Sequence, residues 1–170
     1  FLESLKNSNH LHSSSLFRLN NVNVDFGKIR ALKNVNLQIS RGEVLFVTGK
    51  SGAGKSTLLN ILSGDVEVSS GTVTLPSSKI FVSQVFQDLK LFENRTVEEN
   101  LWYAFDKKIY KSKNEFQKDL MELSSVLGIK DRLYHKIKDA NGGMKQKVAM
   151  LRALLSKPEV LLADEPTAAL

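Results

Sequence analysis

Nine consecutive residues form a glycine-rich loop: Gly49, Lys50, Ser51, Gly52, Ala53, Gly54, Lys55, Ser56 and Thr57. The apolar run 44–47 precedes the loop and the helix-like run 58–62 follows it, which predicts a buried strand, a turn and a helix start. Glycines let the backbone turn its N–H groups towards an anion, and the positive end of the following helix points at the same place. Lys55 can reach the β- and γ-phosphates of a nucleotide, and the Ser56 hydroxyl is placed to ligate magnesium. The loop therefore predicts a phosphate-binding site, with an ordinary glycine turn as the alternative.

Composition limits the possible classes of protein. The chain has 170 residues, of which 42% are apolar, which suits one domain with a real core. It contains no cysteine, so disulfides and thiolate metal sites are excluded, and its three histidines support no metal other than magnesium. The sequence starts at Phe1 rather than Met and stops at Leu170 inside an apparent motif, so we expect a fragment that is truncated at its C-terminal end. No apolar run approaches the roughly 20 residues of a membrane-spanning helix.

The chain is basic, with a formal net charge of +6. Such a charge is compatible with nucleic acid or an anionic membrane surface as a neighbour. The basic residues of 107–157 are interleaved with acidic ones, which favours a solvated surface.

Residues 1–15 are predicted to be a flexible lead-in, and residues 16–170 to form the domain. Alternating apolar residues over 16–24 and 35–39 predict a pair of strands with one buried face. Residues 25–27 read as a turn, in which Phe26 is either an exposed ring that stacks on a nucleotide base or, slightly favoured by position alone, an ordinary core or edge aromatic.

Two further strands are predicted to end in polar residues. The apolar run 79–86 is followed by Gln87, which either binds magnesium or orients water, or simply terminates the strand. The run 160–163 is followed by Asp164 and Glu165. Two adjacent carboxylates behind a buried strand suit magnesium chemistry, with Asp164 holding the ion through water and Glu165 polarising the attacking water.

The residues between these strands are predicted to be helical. Thr96 with Glu99 predicts a capped helix start, and the apolar positions of 114–127 predict a second helix, capped by Asn114 with Gln117 and ended by Gly128. A third helix is possible from Asp131. We interpret residues from about 96 to 155 as a helical subdomain inserted into an α/β core.

Asn141, Gly142 and Gly143 open another predicted helix, with Asn141 as its cap. Lys145 and Lys147 follow in the first turn, where the helix dipole disfavours cations, so a nearby anion would offset that cost. The alternative, which we favour on this segment alone, is a capped helix with solvated lysines.

In this order, the motifs resemble those of the nucleotide-binding domain of ABC transporters over 16–170. Phe26 matches the adenine-stacking position, 49–57 the Walker A loop, Gln87 the Q-loop, 140–144 the signature, Asp164 with Glu165 the Walker B pair, and 167–170 the start of the D-loop. The resemblance implies a P-loop NTPase core of ABC type with an antiparallel β subdomain, and an ATPase that uses ATP and Mg²⁺.

The resemblance also implies partners. In this family two domains close head to tail, each ATP lying between one copy's Walker A and the other's signature, so a homodimer is expected. The stretch V-F-Q-D-L-K-L-F-E-N-R-T-V-E-E-N looks like FtsE, the cell-division ATPase that pairs with the membrane protein FtsX, and lipoprotein-release and macrolide-export ATPases share much of it. The surface from about Asp88 to Arg95 would receive the membrane partner, and the protein would be cytoplasmic and peripheral on the inner face of the membrane.

The signature departs from the family pattern. It reads A-N-G-G-M where L-S-G-G-Q or L-S-G-G-E is usual. Asn141 replaces a serine hydroxyl that reaches the γ-phosphate, although its amide can still donate a hydrogen bond. The altered signature favours, as an alternative to the ATP-hydrolysing motor, a module that binds ATP with little hydrolysis. The positive charge of the chain permits a third function, a soluble ABC ATPase that acts on nucleic acid or ribosomes.

Overall fold

The computed structural model describes residues 15–76, 80–85 and 88–164. The chain divides into two compact units with the boundary between residues 79 and 80. The predicted lead-in, apart from Ser15, lies outside the described residues, and so do Gln87, Glu165 and the D-loop start at 167–170.

The first unit contains an antiparallel sheet of three strands. β1 (Ser15–Phe26) lies between β2 (Ile29–Ser40) and β3 (Ser70–Thr74). The predicted strand pair is thus confirmed, and its buried face carries four side chains that are at most 1% exposed: Phe17, Leu19, Val22 and Val24. The predicted turn at 25–27 is wrong by two residues, because Asp25 and Phe26 still pair with Arg30 and Ile29. An ion pair of 2.7 Å between Asp25 and Arg30 joins the two strands there.

Helix α1 (Lys55–Ser63) begins directly after the glycine loop, as predicted. Its flanking residues Gly54 and Gly64 both have left-handed backbone angles, with φ of 84° and 85°. The helix buries Leu58, Ile61 and Leu62.

The predicted buried strand at 44–47 is wrong. These residues belong to no strand, and Val44 and Phe46 are 77% and 83% exposed. An apolar run becomes a buried strand only where a neighbouring strand accepts its backbone hydrogen bonds and a layer covers its face. None of the three strands in the first unit pairs with residues 44–47.

The second unit combines a parallel strand pair with helices. β4 (Val82–Val85) pairs with β5 (Val160–Ala163), and the helices between them are α2 (Val97–Trp102), α3 (Lys113–Val126) and α4 (Gly142–Leu155). Single 3-10 turns occupy Lys130–Arg132 and Ile137–Asp139. The helices pack around a cluster of fully buried side chains that includes Leu101, Phe116, Leu120, Leu151 and Leu155.

Most predicted helix ends are confirmed. Thr96 and Glu99 form a reciprocal capping box, and Asn141 caps α4. The cap of α3 is Ser112 rather than Asn114, because Ser112 is extended and its hydroxyl accepts from the Glu115 amide at 3.1 Å. The third helix expected at Asp131 is only a 3-10 turn. Among the described residues, no helix has both the length and the apolar character needed to cross a membrane.

Candidate functional site

The glycine loop folds around the Lys55 ammonium group. Lys55 Nζ donates to the carbonyl oxygens of Gly49 at 3.0 Å and Lys50 at 3.1 Å, and the Ala53 amide donates to Lys50 O at 3.1 Å. These bonds fix the positive charge inside the loop, directly before the N-terminus of α1. A fixed cation beside a helix N-terminus is suited to hold a phosphate chain.

Gly54 is required by a close approach between the loop and β2. A Cβ atom at this position would lie 2.6 Å from Ala31 O and 2.7 Å from Leu32 Cδ2. The backbone also has a φ of 84° here, which side-chain-bearing residues rarely adopt. The loop is therefore seated on the edge of the sheet through Gly54.

Phe26 lies near this loop on the same unit. It pairs with Ile29 across the turn. Ala31, which approaches Gly54, lies two residues beyond Ile29 on β2, a spacing of about 7 Å along the strand. The Phe26 side chain is 53% exposed, so it is not a core aromatic. An exposed ring on the strand pair that contacts the loop is of the kind that can stack on a base.

The parallel pairing of β4 and β5 brings two predicted site segments together. Val85 and Ala163 lie side by side at the same edge of the pair, and the Asp164 amide donates to Val85 O at 3.2 Å. The half-buried Asp164 therefore follows β5 next to the point where β4 ends. Gln87, two residues beyond β4, and Glu165 lie outside the described residues.

The N-terminus of α4 presents Asn141, Gly142 and Gly143. Asn141 Oδ1 accepts from the Met144 amide at 2.8 Å and thereby caps the helix. The cap uses the acceptor oxygen, so the Nδ2 group of the exposed Asn141 side chain can donate outwards. The resemblance implies the same role for Asn141, that of a hydrogen-bond donor to a phosphate.

A cavity of about 600 Å³ adjoins this helix start. Its walls include Asn141 and Gly143 together with three side chains of basic type, Arg132, His135 and Lys147. Asp139 also lines it. The balance of charge favours an anionic neighbour for the signature segment.

Lys145 has a specific anionic partner that the sequence did not identify. Its Nζ lies 2.9 Å and 3.0 Å from the two carboxylate oxygens of Glu93, 52 residues earlier in the chain. A carboxylate of the chain itself thus offsets the cost of Lys145 in the first turn, so Lys145 is paired rather than simply solvated, and a bound anion at this helix start stays a prediction. The only available signal was a cation in the first turn of a helix, which indicates that an anion is needed without saying where it comes from.

The segment from Asp88 to Arg95 carries an exposed aromatic pair. Phe92 stacks on Tyr103 at a ring-centroid distance of 4.5 Å, and the two side chains are 49% and 59% exposed. At the start of the segment, the hydrogen bond and charge of Lys90 lower the pKa of the Asp88 carboxyl. A stacked, exposed pair of rings flanked by charges is typical of a protein-binding surface.

The oxygen groups proposed for magnesium are chemically suitable. The Ser56 hydroxyl is exposed in the first turn of α1 and the Asp164 carboxylate follows β5, and Mg²⁺ prefers oxygen ligands of both kinds. Within the described ranges, no three His, Cys, Asp or Glu side chains lie together as a metal-binding group. Each of these donors, taken by itself, is thus of a kind that fits Mg²⁺.

The family model for "ABC transporter" matches residues 32–168. The chain is 37% identical to a methionine import ATP-binding protein, MetN, of Clostridioides difficile, over 91% of the chain and 52% of that protein. It is 34% identical to the lipoprotein-releasing system ATP-binding protein LolD of Bacteroides thetaiotaomicron, over 91% of the chain and 77% of LolD. The chain therefore spans only about half of the methionine import protein.

Solved structures agree with this family. A dimeric ATP-binding cassette in a post-hydrolysis state, bound to ADP and Pi, superposes with a TM-score of 0.71 and 33% identity, over 91% of this chain and 75% of that one. The cbiO1 protein of Clostridium perfringens, part of the ABC transporter complex cbiONQ, superposes with a TM-score of 0.76 and 27% identity, over 92% and 67%. The predicted α/β fold of ABC ATPase type, with its antiparallel sheet, is confirmed, and the chain belongs to the ABC transporter family.

Proposed function

We propose that this chain is the ATP-binding and ATP-hydrolysing subunit of an ABC transporter-type complex. The observation that carries the proposal is the phosphate loop, in which Lys55 Nζ is fixed by two loop carbonyls at the N-terminus of α1. Membership of the ABC family and the ATP-binding function named for its relatives support it.

The residues take distinct roles in this proposal. The amides of 49–57 and the Lys55 ammonium hold the phosphates and stabilise the charge that develops as the γ-phosphoryl group leaves. Glu165 polarises the attacking water, with Gln87 orienting it, and Phe26 stacks on the adenine. Ser56, Gln87 and Asp164 would hold Mg²⁺, which would neutralise charge on the phosphate chain.

A second copy of the chain completes the proposed site. Asn141, Gly142 and Gly143 would meet the nucleotide held by the other copy, in a head-to-tail dimer. The Asn141 Nδ2 donor and the basic lining of the adjoining cavity support this, and one solved relative is itself described as dimeric. Such a dimer would carry two nucleotides between its halves.

A second candidate is an ATP-dependent binding module with little hydrolysis. It is favoured by the altered signature A-N-G-G-M, in which Asn141 stands where the usual family pattern has serine and Met144 stands where it has a polar residue. The two functions differ in turnover and agree in ATP binding.

We further propose an integral membrane partner at the surface from Asp88 to Arg95, placing the domain on the inner face of the membrane. The exposed Phe92 and Tyr103 rings support an apolar contact there. The FtsE-like motifs favour an FtsX-like partner, and LolD-like or macrolide-export membrane subunits are the alternatives. No nucleic acid is expected. The proposed ABC ATPase domain spans 16–170, with a helical subdomain at about 96–155.

Two variants of the full-length protein test the enzyme. Lys55→Ala is expected to lose tight binding of a fluorescent ATP analogue, since the fixed cation is gone. Glu165→Gln is expected to bind ATP normally and release phosphate at least about 100-fold more slowly. Wild-type affinity in Lys55→Ala would refute the site, while slow turnover already in the wild-type protein would favour the binding module.

The partner surface is tested by co-purification from cells that also produce FtsX. Phe92→Asp with Tyr103→Asp should abolish co-purification and leave ATP affinity unchanged. Exposed Tyr134, 79% accessible, provides the control substitution Tyr134→Asp, which should have no effect. Association with a lipoprotein-release membrane subunit instead of FtsX would reject the FtsE-like assignment.

A further inference from the structure

The segment from Asp88 to Arg95, here called the docking segment, is bonded to the signature helix α4 at several points. Arg152 of α4 donates to the carbonyl oxygens of Leu89 and Lys90, both at 2.9 Å. Burial of the guanidinium lowers the pKa of Arg152, and the two carbonyl acceptors satisfy its donors in this partly buried position. The middle of α4 is thus anchored to the start of the docking segment.

The end of the docking segment is bonded to the chain that leads into the signature. The Lys138 amide donates to Glu93 O at 2.9 Å and the Ile137 amide to Arg95 O at 3.0 Å. Lys138 lies only three residues before Asn141. Movement of the docking segment would therefore displace Ile137 and Lys138, which lead directly into the signature.

The ion pair between Glu93 and Lys145 joins the same two regions at the first turn of α4. The Lys145 side chain is 26% exposed and that of Glu93 is 53% exposed. Glu93 places a negative charge at the positive helix end, and it holds a lysine that the dipole alone would disfavour. Both oxygens of the carboxylate contact Nζ, so the pair restrains the helix start in direction as well as distance.

We propose that Glu93 and Lys145 are positioning residues that orient Asn141, Gly142 and Gly143 towards the nucleotide of the second copy. The inference rests on the proposed function for its dimer. Through this pair, the orientation of the signature depends on the docking segment. Lys145 acts through the helix and does not touch the nucleotide.

The test uses the full-length protein carrying Glu165→Gln, so that bound ATP persists. Glu93→Gln and Lys145→Met are each expected to raise the ATP concentration for half-maximal dimerisation about two- to fivefold, the range of one partly exposed ion pair. Affinity for a fluorescent ATP analogue should stay unchanged. The charge exchange Glu93→Lys with Lys145→Glu should restore dimerisation, which a merely lost side chain cannot do.

A matched control lies at the other end of α4, where Lys157 and Asp119 form an ion pair of 3.0 Å. Asp119→Asn should leave dimerisation unchanged. Equal effects of Asp119→Asn and Glu93→Gln would overturn the inference, as would single variants that dimerise like the parent or a charge exchange that fails to rescue them.

Amide hydrogen exchange separates this inference from the proposed function. Without nucleotide, Glu93→Gln and Lys145→Met should speed exchange of the Met144 and Lys145 amides, which donate to Asn141, about two- to fivefold. Unchanged exchange refutes the positioning role even in a protein that binds no ATP. Faster exchange in a protein that binds no ATP would support the restraint on α4 and reject the ATPase.

Discussion

Gly54 is the residue at which the loop can tolerate least change. In Gly54→Ala the new Cβ would meet Ala31 O at 2.6 Å and would stand on a backbone with a φ of 84°. We expect the variant to lose about 3 kcal/mol of unfolding free energy, from backbone strain and overpacking together, and to bind ATP poorly. Urea titration of the full-length protein measures the loss.

Gly52 provides the control for this prediction. Its φ is 78°, but a Cβ there would have no atom within 4 Å. Gly52→Ala should therefore cost only the strain of the left-handed conformation, about 1 kcal/mol. Equal losses in both variants would show that contact with β2 is not what requires Gly54.

Tyr110 makes stability depend on pH in the alkaline range. Its side chain is 2% exposed and its hydroxyl donates to Leu155 O at 2.6 Å. Burial, followed by the charges of Asp119 and Glu115, raises the pKa of Tyr110 to about 12 from 10.0. Folding thus favours the protonated phenol, so its contribution is complete below pH 10 and is lost as the pH rises from 10 to 12, by about 3 kcal/mol in all.

Comparison with Tyr110→Phe isolates this contribution from the titration of the lysines. The variant should be less stable than the wild type at pH 8, because Leu155 O loses its donor, and the difference should shrink towards pH 12. Urea unfolding at pH 8, 10 and 11.5 measures it. A difference that stays constant over this range would exclude Tyr110 as the group responsible.

At the scale of elements, buried Asn100 fixes helix α2 to the docking segment. Its Nδ2 donates to Phe92 O at 3.1 Å and to Thr96 O at 2.9 Å, and its Oδ1 accepts from the Phe92 amide at 2.8 Å. Asn100→Leu would leave the Phe92 amide without its acceptor, while Phe92 O keeps the Arg95 amide as a donor, and should cost about 1–3 kcal/mol. Faster exchange of the Phe92 amide should accompany the loss.

Asn20 supplies the matched control for that substitution. It makes one exposed hydrogen bond, to Thr72 Oγ1 at 3.4 Å, so Asn20→Ala should change stability by no more than about 0.5 kcal/mol. If Asn100→Leu were as mild, the buried bonds of Asn100 would have no role in holding the docking segment.

Elements with local determinants were predictable from the sequence. The capping box of Thr96 and Glu99 and the cap of Asn141 each involve residues three positions apart, and both are present. Ser112 rather than Asn114 caps α3 because Ser112 has the extended backbone. The composition of this segment does not show which of the two residues is extended. The strand expected at 44–47 needed a neighbour, and neighbours are set by tertiary structure.

The residues of the candidate site also differ in how far apart they lie in the sequence, and this decides which of them could be predicted. The phosphate loop is contiguous, so its residues and their order reveal it. Glu93 and Lys145 are separated by 52 residues, and Arg152 is 62 or 63 residues from the carbonyls it binds. No periodicity or motif links such pairs, because only the packing of α4 against the docking segment brings them together.

In the proposed dimer, the Nδ2 group of Asn141 is the side-chain donor that faces the nucleotide of the second copy. Aspartate at this position keeps an oxygen to cap α4 and adds a charge that the helix dipole favours, so Asn141→Asp should be at least as stable as the wild type. It replaces the Nδ2 donor with a negative charge facing a phosphate, so ATP should no longer drive dimerisation.

In the Glu165→Gln protein, solution mass with and without magnesium ATP should show the dimer for Asn141 and only monomer for Asn141→Asp. Asn141→Ser, which both caps and donates, should still dimerise. A dimer of unchanged ATP dependence in Asn141→Asp would mean that the signature segment does not face the second nucleotide.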